Sequence, residues 1–260
     1  VTSLDEALEV LASAPRILVA LDFDGTLSPL VDDPMAARAT PEAKAAVERL
    51  VACEGVTVAY VSGRTLAALR VISEHDDASR VWLAGSHGAE HLRPAGAPPR
   101  MRPTAQRDDR LRGQAEGIRS DAHAAVADLE GAWIEDKEFG LAVHTRLAAA
   151  DAAAEAQRRI DELMAERAPS WRRREGKNVV EFSWRHEGKD TAIAELREAV
   201  AADAVLFAGD DVTDEDALRS LVEGDLGIRV GAGETSARFT VDGIADLAAV
   251  LNRLASYRAS

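Results

Sequence analysis

Residues 19–29, VALDFDGTLSP, end an apolar run with two aspartates one residue apart, and a Gly-Thr follows at once. Leu18 to Leu21 read as a buried strand, apolar throughout rather than alternating, as in a sheet covered on both faces. In extended backbone, residues two apart point to one side, so Asp22 and Asp24 can face one site while Phe23 packs the other way. Two carboxylates this close repel, and need a cation or a proton. Gly25 permits a tight turn, and Thr26 offers a hydroxyl and a backbone N–H to an anion. The ordinary alternative is a strand-to-turn boundary, where Asp and Gly serve local hydrogen bonds.

Outward from that stretch, short apolar runs alternate with alanine-rich helical patterns: RILVALDF, TPEAKAAVERLVA, VTVAYVSG, TLAALRVIS and RVWLAGS. That order reads strand, helix, strand, helix, strand, and predicts a doubly wound parallel sheet with helices on both faces. The same grammar returns in KDTAIAELREAVAA, AVLFAGDD, TDEDALRSLV and LGIRVG. The middle differs. A helix is expected from Thr104 through Leu129, then strands WIEDKEF and LAVHTR meeting near Gly140. A helix from Asp151 to Arg167 and strands SWRRRE and NVVEFSW complete it. The chain is therefore expected to be an α/β core, residues 1–103 and 185–260, interrupted by an antiparallel α+β domain over 104–184. The Pro-rich segment RPAGAPPRMRP, residues 93–103, forms the border.

Composition bounds the function. At 260 residues, 47% hydrophobic and 29% charged, the chain can bury a sizeable core. A formal charge of −14 argues against a broad nucleic-acid or anionic-membrane surface. The run Arg172 to Arg174 is accordingly read as a solvated strand. One cysteine, Cys53, excludes an internal disulfide framework and a zinc–cysteine cluster. No apolar run approaches the roughly 20 residues of a membrane helix, and no signal pattern opens the chain, so a cytoplasmic location is expected. With no basic surface run or amphipathic heptad, a monomer is expected.

Ligands of open parallel sheets sit at the carboxyl ends of the strands. Three further polar clusters fall there. VTVAYVSGR ends at Ser62, whose hydroxyl can donate to a phosphate oxygen or simply serve a turn. HEGKDTAIAEL places Lys189 at the opening of a helix, where the dipole disfavours a cation unless an anion lies opposite. VLFAGDDVTDEDAL supplies Asp210, Asp211 and Asp214. An acidic first turn capped by Thr213 accounts for Asp214, Glu215 and Asp216. It does not account for Asp210 and Asp211 at the end of a buried strand. Their charge converges on Asp22 and Asp24, and a bound Mg²⁺ with oxygen ligands is the economical explanation.

DFDGT, SGR, Lys189 and GDD, in that order, resemble the four motifs of the haloacid dehalogenase superfamily of aspartyl-phosphate-forming hydrolases. DFDGTLSP, SGR, GSHGAE, GDDVTDEDA and IEDKEFGLAVHTR are similar to the trehalose-6-phosphate phosphatases among them. The resemblance spans essentially the whole chain. It implies Asp22 as nucleophile, with Asp22, the Asp24 carbonyl and Asp210 as Mg²⁺ ligands and Asp211 and Asp214 in support. Asp24 would protonate the leaving sugar oxygen and then take a proton from the attacking water. Mg²⁺, Ser62, Thr26 and Lys189 would neutralise the equatorial phosphoryl oxygens.

Substrate choice is expected in the inserted domain, the family's cap. Glu135 and Lys137 share a strand face, His144 and Arg146 share another, and the next hairpin adds Lys177 and Glu181. Such groups suit sugar hydroxyls, which both donate and accept hydrogen bonds; the ordinary alternative is a solvated sheet face with cross-strand ion pairs. The resemblance implies Glu135, Lys137, His144 and Glu181 as disaccharide ligands, with Arg64 and His87 lining the cleft from the core. It also implies a sugar-phosphate substrate and a trehalose-6-phosphate synthase as partner. The chain departs from the pattern after Glu181, where FSWRHEGKD stands in place of Arg-Pro. Another disaccharide phosphate or a glycosyl-3-phosphoglycerate is the enzymatic alternative. From a different class comes a non-catalytic sugar-phosphate sensor, which loss of Asp22 or Asp24 would mark; both are present. A phosphomutase would need its phosphorylated intermediate protected from water.

Overall fold

The structure is a computed structural model that describes residues 3–97, 109–176 and 178–259. Residues 98–103 of the expected border, 104–108 of the expected helix, and Lys177 lie outside the described residues. The chain divides into two compact units, Val1–Met101 with Glu187–Ser260, and Arg102–His186.

The first unit opens with α1 (Leu4–Ala12), β1 (Ile17–Leu21), α2 (Pro41–Ala52), β2 (Val56–Val61), α3 (Leu66–Ile72), β3 (Trp82–Gly85) and β4 (Glu90–Leu92). The second unit carries α4 (Asp109–Val126), β5 (Trp133–Lys137), β6 (Gly140–His144), α5 (Ala150–Arg167), β7 (Arg172–Gly176) and β8 (Val179–Ser183). The chain then returns to the first with α6 (Lys189–Val200), β9 (Ala204–Gly209), α7 (Glu215–Ser220), β10 (Leu226–Val230), β11 (Phe239–Val241) and α8 (Ile244–Arg258).

In the first unit the strands are ordered β11-β10-β9-β1-β2-β3-β4. All neighbours are parallel except β4, which runs antiparallel to β3. Every residue of β1 is buried, and its side chains divide between two cores. Ile17, Val19 and Leu21 pack in the cluster with Leu8, Leu50 and Leu251 of α1, α2 and α8. Leu18 and Ala20 pack in the cluster with Ile193 and Leu196 of α6 and Leu218 of α7. Burying each such leucine, isoleucine or valine side chain contributes roughly 1.5–3 kcal/mol. The strand end that carries Asp22 is thus anchored from both faces.

The elements α1, β4, β11 and α8 are additional to those expected. α1 has a capping box: the Glu6 amide donates to Ser3 Oγ at 3.2 Å and the Ser3 amide to Glu6 Oε2 at 2.7 Å. The second unit is a four-stranded antiparallel sheet, β5-β6-β8-β7. Ile118 and Ala122 of α4, Ile160 and Met164 of α5, and Leu141, Val143, Val180 and Phe182 of the sheet share its core.

Candidate active site

Because β1 lies between β9 and β2 in parallel register, the residues after all three strands emerge at one edge. The Asp22 amide donates to Ala208 O at 2.9 Å, so the backbone pairing runs to the first site residue. Phe23 points the other way, fully buried, with its ring edge-on to Tyr60 at 5.5 Å between centroids. Gly25 has φ +80°, and a Cβ there would lie 2.0 Å from Asp210 Oδ2. Only glycine lets the turn come this close to the β9 loop.

Asp22, Asp210 and Asp214 each bring a carboxylate oxygen within 4.8 Å of the others. The Lys189 ammonium, only 3% exposed, donates to Asp22 Oδ1 and Asp214 Oδ1, both at 2.5 Å. The anion opposite the first turn of α6 is therefore this carboxylate pair. Thr26 is fully buried, and its hydroxyl lies 3.3 Å from both Asp22 Oδ2 and Asp210 Oδ1. Burial and the neighbouring carboxylates of Asp214 and Asp210 push Asp22 upward against the pull of Lys189. Burial and then Asp214 push Asp210 up to about 6. Burial alone would lower Lys189, but Asp214 and Asp22 outweigh it and hold the ammonium charged.

Asp214 braces the loop rather than standing open. Its Oδ2 accepts from the Asp210 and Asp211 amides at 3.1 and 2.9 Å. Asp211, not Thr213, caps the turn that precedes α7, accepting from the Val212 amide at 2.7 Å. The α-helix begins at Glu215, later than a Thr213 cap predicts, because Val212–Asp214 forms a 3₁₀ turn ahead of it.

Asp24 is directed elsewhere. Both its oxygens are gripped by Arg64, at 2.5 Å from Nε and 2.6 Å from Nη2, while Nη1 donates to Pro34 O at 2.7 Å. Ser62 is buried, and its Oγ accepts from the Arg64 amide at 3.1 Å. The His87 amide donates to Ser62 O at 2.9 Å, and the buried imidazole packs over Gly63. Arg64 and His87 thus adjoin Asp24 and Ser62.

Hard oxygen donors, an excess of negative charge and no nitrogen or sulfur ligand fit a Mg²⁺ ion held by Asp22 and Asp210. Residues 20–245 match the family model for trehalose-phosphatase. The chain belongs to the trehalose-phosphatase family. A trehalose-phosphate phosphatase of Mycobacterium marinum is 34% identical over 98% of this chain and 67% of its own length. The chain thus spans about two thirds of that relative. The C-terminal domain of Candida albicans trehalose-6-phosphate phosphatase superposes with a TM-score of 0.80 at 23% identity, covering 98% of this chain and 97% of that one. A haloacid dehalogenase-like hydrolase of B. subtilis gives 0.55 at 14% identity, covering 91% and 98%, a likeness of fold. Trehalose-phosphatase membership makes the chain a phosphoric monoester hydrolase with a haloacid dehalogenase-like core and an inserted antiparallel unit.

Within that trehalose-phosphatase insert, Glu135, Ala142, Glu181 and Arg174 are in register across the four strands and so share one face. Glu135 accepts from Lys137 at 2.8 Å and pairs with His144 Nε2 at 2.8 Å. Burial opposes its charge, but His144 and Lys137 outweigh burial and hold the carboxyl down to about 2. The His144 ring stacks on Trp133 at 4.8 Å. Arg174 corrects the reading of its run as solvated: its side chain is 9% exposed and lies 3.9 Å from Glu181. Its spacing of two from Arg172, on the same strand face, is the signal the sequence carries. In the first unit, Glu215 and Arg229 were missed as well; a charge inside the apolar strand LGIRV marked the second.

Proposed function

We propose that the chain is a Mg²⁺-dependent phosphatase that hydrolyses trehalose 6-phosphate to trehalose and phosphate through an aspartyl-phosphate on Asp22. The observation that carries this reading is the buried pairing of Asp22 with Lys189, beside Asp210 and at the end of β1. Asp22, the Asp24 carbonyl and Asp210 would hold Mg²⁺, which would supply the positive charge that lets an anionic nucleophile and an anionic substrate meet.

A carboxylate oxygen of Asp22 attacks phosphorus as the bond to the sugar oxygen breaks. Asp24 gives that oxygen its proton. Water then attacks the acyl phosphate, yields its proton to Asp24, and frees Asp22 and inorganic phosphate. The Lys189 ammonium and Ser62 hydroxyl hold the phosphoryl oxygens. Arg64, holding both Asp24 oxygens, keeps the acid/base carboxylate oriented until substrate takes one of them. Glu135, Lys137, His144 and Glu181 take the sugar hydroxyls, and His87 supports Ser62. A trehalose-6-phosphate synthase would supply the substrate.

The segment after Glu181 favours a second reading of the sugar. Where the family pattern has Arg-Pro, Phe182 is buried in the core of the second unit and Trp184 packs edge-on to Trp171 at 5.2 Å. A different disaccharide phosphate or glucosyl-3-phosphoglycerate is the candidate. Phosphate release from trehalose 6-phosphate, sucrose 6-phosphate, glucose 6-phosphate and glucosyl-3-phosphoglycerate, with and without Mg²⁺ and with Asp22→Asn as the blank, decides between them. Preference for trehalose 6-phosphate supports the first reading. Turnover of another sugar phosphate keeps the chemistry and replaces the substrate.

A further inference from the structure

Arg229 lies on β10 opposite Gly209, the last residue of β9, and is 7% exposed; Glu215, the first residue of α7, is 6% exposed. The two form an ion pair at 3.2 Å. The same Arg229 Nη1 donates to the carbonyl of Asp211 at 3.1 Å. Glu215 Oε2 accepts from the Ser236 amide at 2.8 Å, and Arg229 Nε has no partner among the described residues.

Burying this pair is costly, and apolar side chains of equal volume would join β10 to α7 at least as well. They could not hold a carbonyl. The loop after β9 has its two amides, Asp210 and Asp211, tied to Asp214, and its next carbonyl tied to Arg229. Both amides and the Asp211 carbonyl of the loop that carries Asp210 are thereby engaged by buried side chains. We infer that the Arg229–Glu215 pair is a positioning device for the metal loop, setting where the Asp210 carboxylate stands and coupling it to the segment at Ser236. The inference rests on the reading of Asp210 as a Mg²⁺ ligand. Neither residue touches substrate or the reacting atoms.

The test is calorimetric titration of Mg²⁺ into the full chain, wild type against Arg229→Met/Glu215→Gln, which removes both charges and leaves neither uncompensated. The paired change is expected to weaken Mg²⁺ binding about tenfold or more, as loss of groups that orient metal ligands does, and to lower kcat with KM for substrate little moved. Arg229→Lys should recover part of the affinity. Arg197→Met/Asp225→Asn, which removes an ion pair at 2.7 Å elsewhere in the unit, controls for stability and should leave Mg²⁺ affinity unchanged. Equal Mg²⁺ affinity in wild type and the Arg229→Met/Glu215→Gln variant overturns the inference alone. Absence of Mg²⁺ binding by the wild type overturns the metal reading and the inference with it. Should the paired variant fail to fold, hydrogen exchange on the wild type replaces it: Mg²⁺ should slow the Ser236 amide about tenfold, and an unchanged rate overturns the coupling.

Discussion

The ammonium of Lys189 stands 2.5 Å from a carboxylate oxygen of Asp22, a residue 167 positions earlier in the chain. Lys189 is the only cation that the described bonds bring to Asp22, and it shares itself with Asp214. Lys189→Met should therefore abolish turnover and destabilise the metal-free protein by about 3–5 kcal/mol, the usual effect of stripping one partner from a buried pair. Urea unfolding in the presence of a chelator measures it. A loss below 1 kcal/mol would show that the carboxylates are far better solvated than their burial indicates.

The fork between Arg64 and Asp24 is a two-bond contact between partly buried side chains. A double-mutant cycle with Arg64→Ala and Asp24→Asn, read in unfolding free energy, should give a coupling of about 1–2 kcal/mol. Arg64→Lys should recover little of it, since a point charge cannot make two parallel bonds. Zero coupling would mean that Arg64 is held by Pro34 and its surroundings alone.

The acidic cluster sets a pH dependence whose sign follows from Asp210. Its carboxyl rises from 3.8 to about 6 on folding, mainly through burial and Asp214. Between those values the folded chain holds a proton that the unfolded chain has released, so the metal-free protein loses stability as pH rises from about 4 to about 6. Lys189, shifted upward, contributes stability throughout that window and loses it only at alkaline pH. Saturating Mg²⁺ should remove that decline. Chelated and Mg²⁺-loaded unfolding curves at pH 5 and 7 make the comparison; parallel curves would contradict the cluster's role.

Gly25→Ala should inactivate the enzyme without unfolding it. The new Cβ would lie 2.0 Å from Asp210 Oδ2 at a backbone φ of +80°. The strain is about 1–3 kcal/mol, and relieving it moves Asp210. Circular dichroism should stay native while Mg²⁺-dependent turnover falls.

Glu135 should act on binding more than on chemistry. Its carboxylate is held ionised by His144 and Lys137. Glu135→Ala should raise KM for the sugar phosphate about ten- to a hundredfold, the equivalent of one charged hydrogen-bond set, with kcat changed far less. A fall in kcat at constant KM would place Glu135 with the reacting atoms instead.

Strands β1, β2 and β9 are legible because they are largely apolar and end abruptly before Asp22, Ser62 and Asp210. Charge at the end of a buried strand is conspicuous in one dimension. The short strands EHL and FTV are too brief for any period to declare itself, and α8 opens at Gly243 with no side-chain cap to announce it. α1 did carry its signal, in Ser3 and Glu6. Partner choice is where reading along the chain stops. Nothing local tells that Arg64 turns to Asp24, 40 residues away, or that Arg229 meets Glu215 and the Asp211 carbonyl. Those contacts depend on which strand ends the sheet order brings side by side.

In the proposed reaction Asp22 itself carries the phosphoryl group. Asp24→Asn leaves the nucleophile in place but removes the group that would activate water, so an acyl phosphate formed from an activated ester such as p-nitrophenyl phosphate should accumulate. Acid-quenching that variant with Mg²⁺ and locating the phosphoryl group by peptide mass spectrometry is the direct measurement. The phosphoryl group should lie on the peptide containing Asp22 and disappear when Asp22→Asn is added. Release of p-nitrophenol by Asp24→Asn with no protein-bound phosphoryl group, or with the group on another residue, would contradict it.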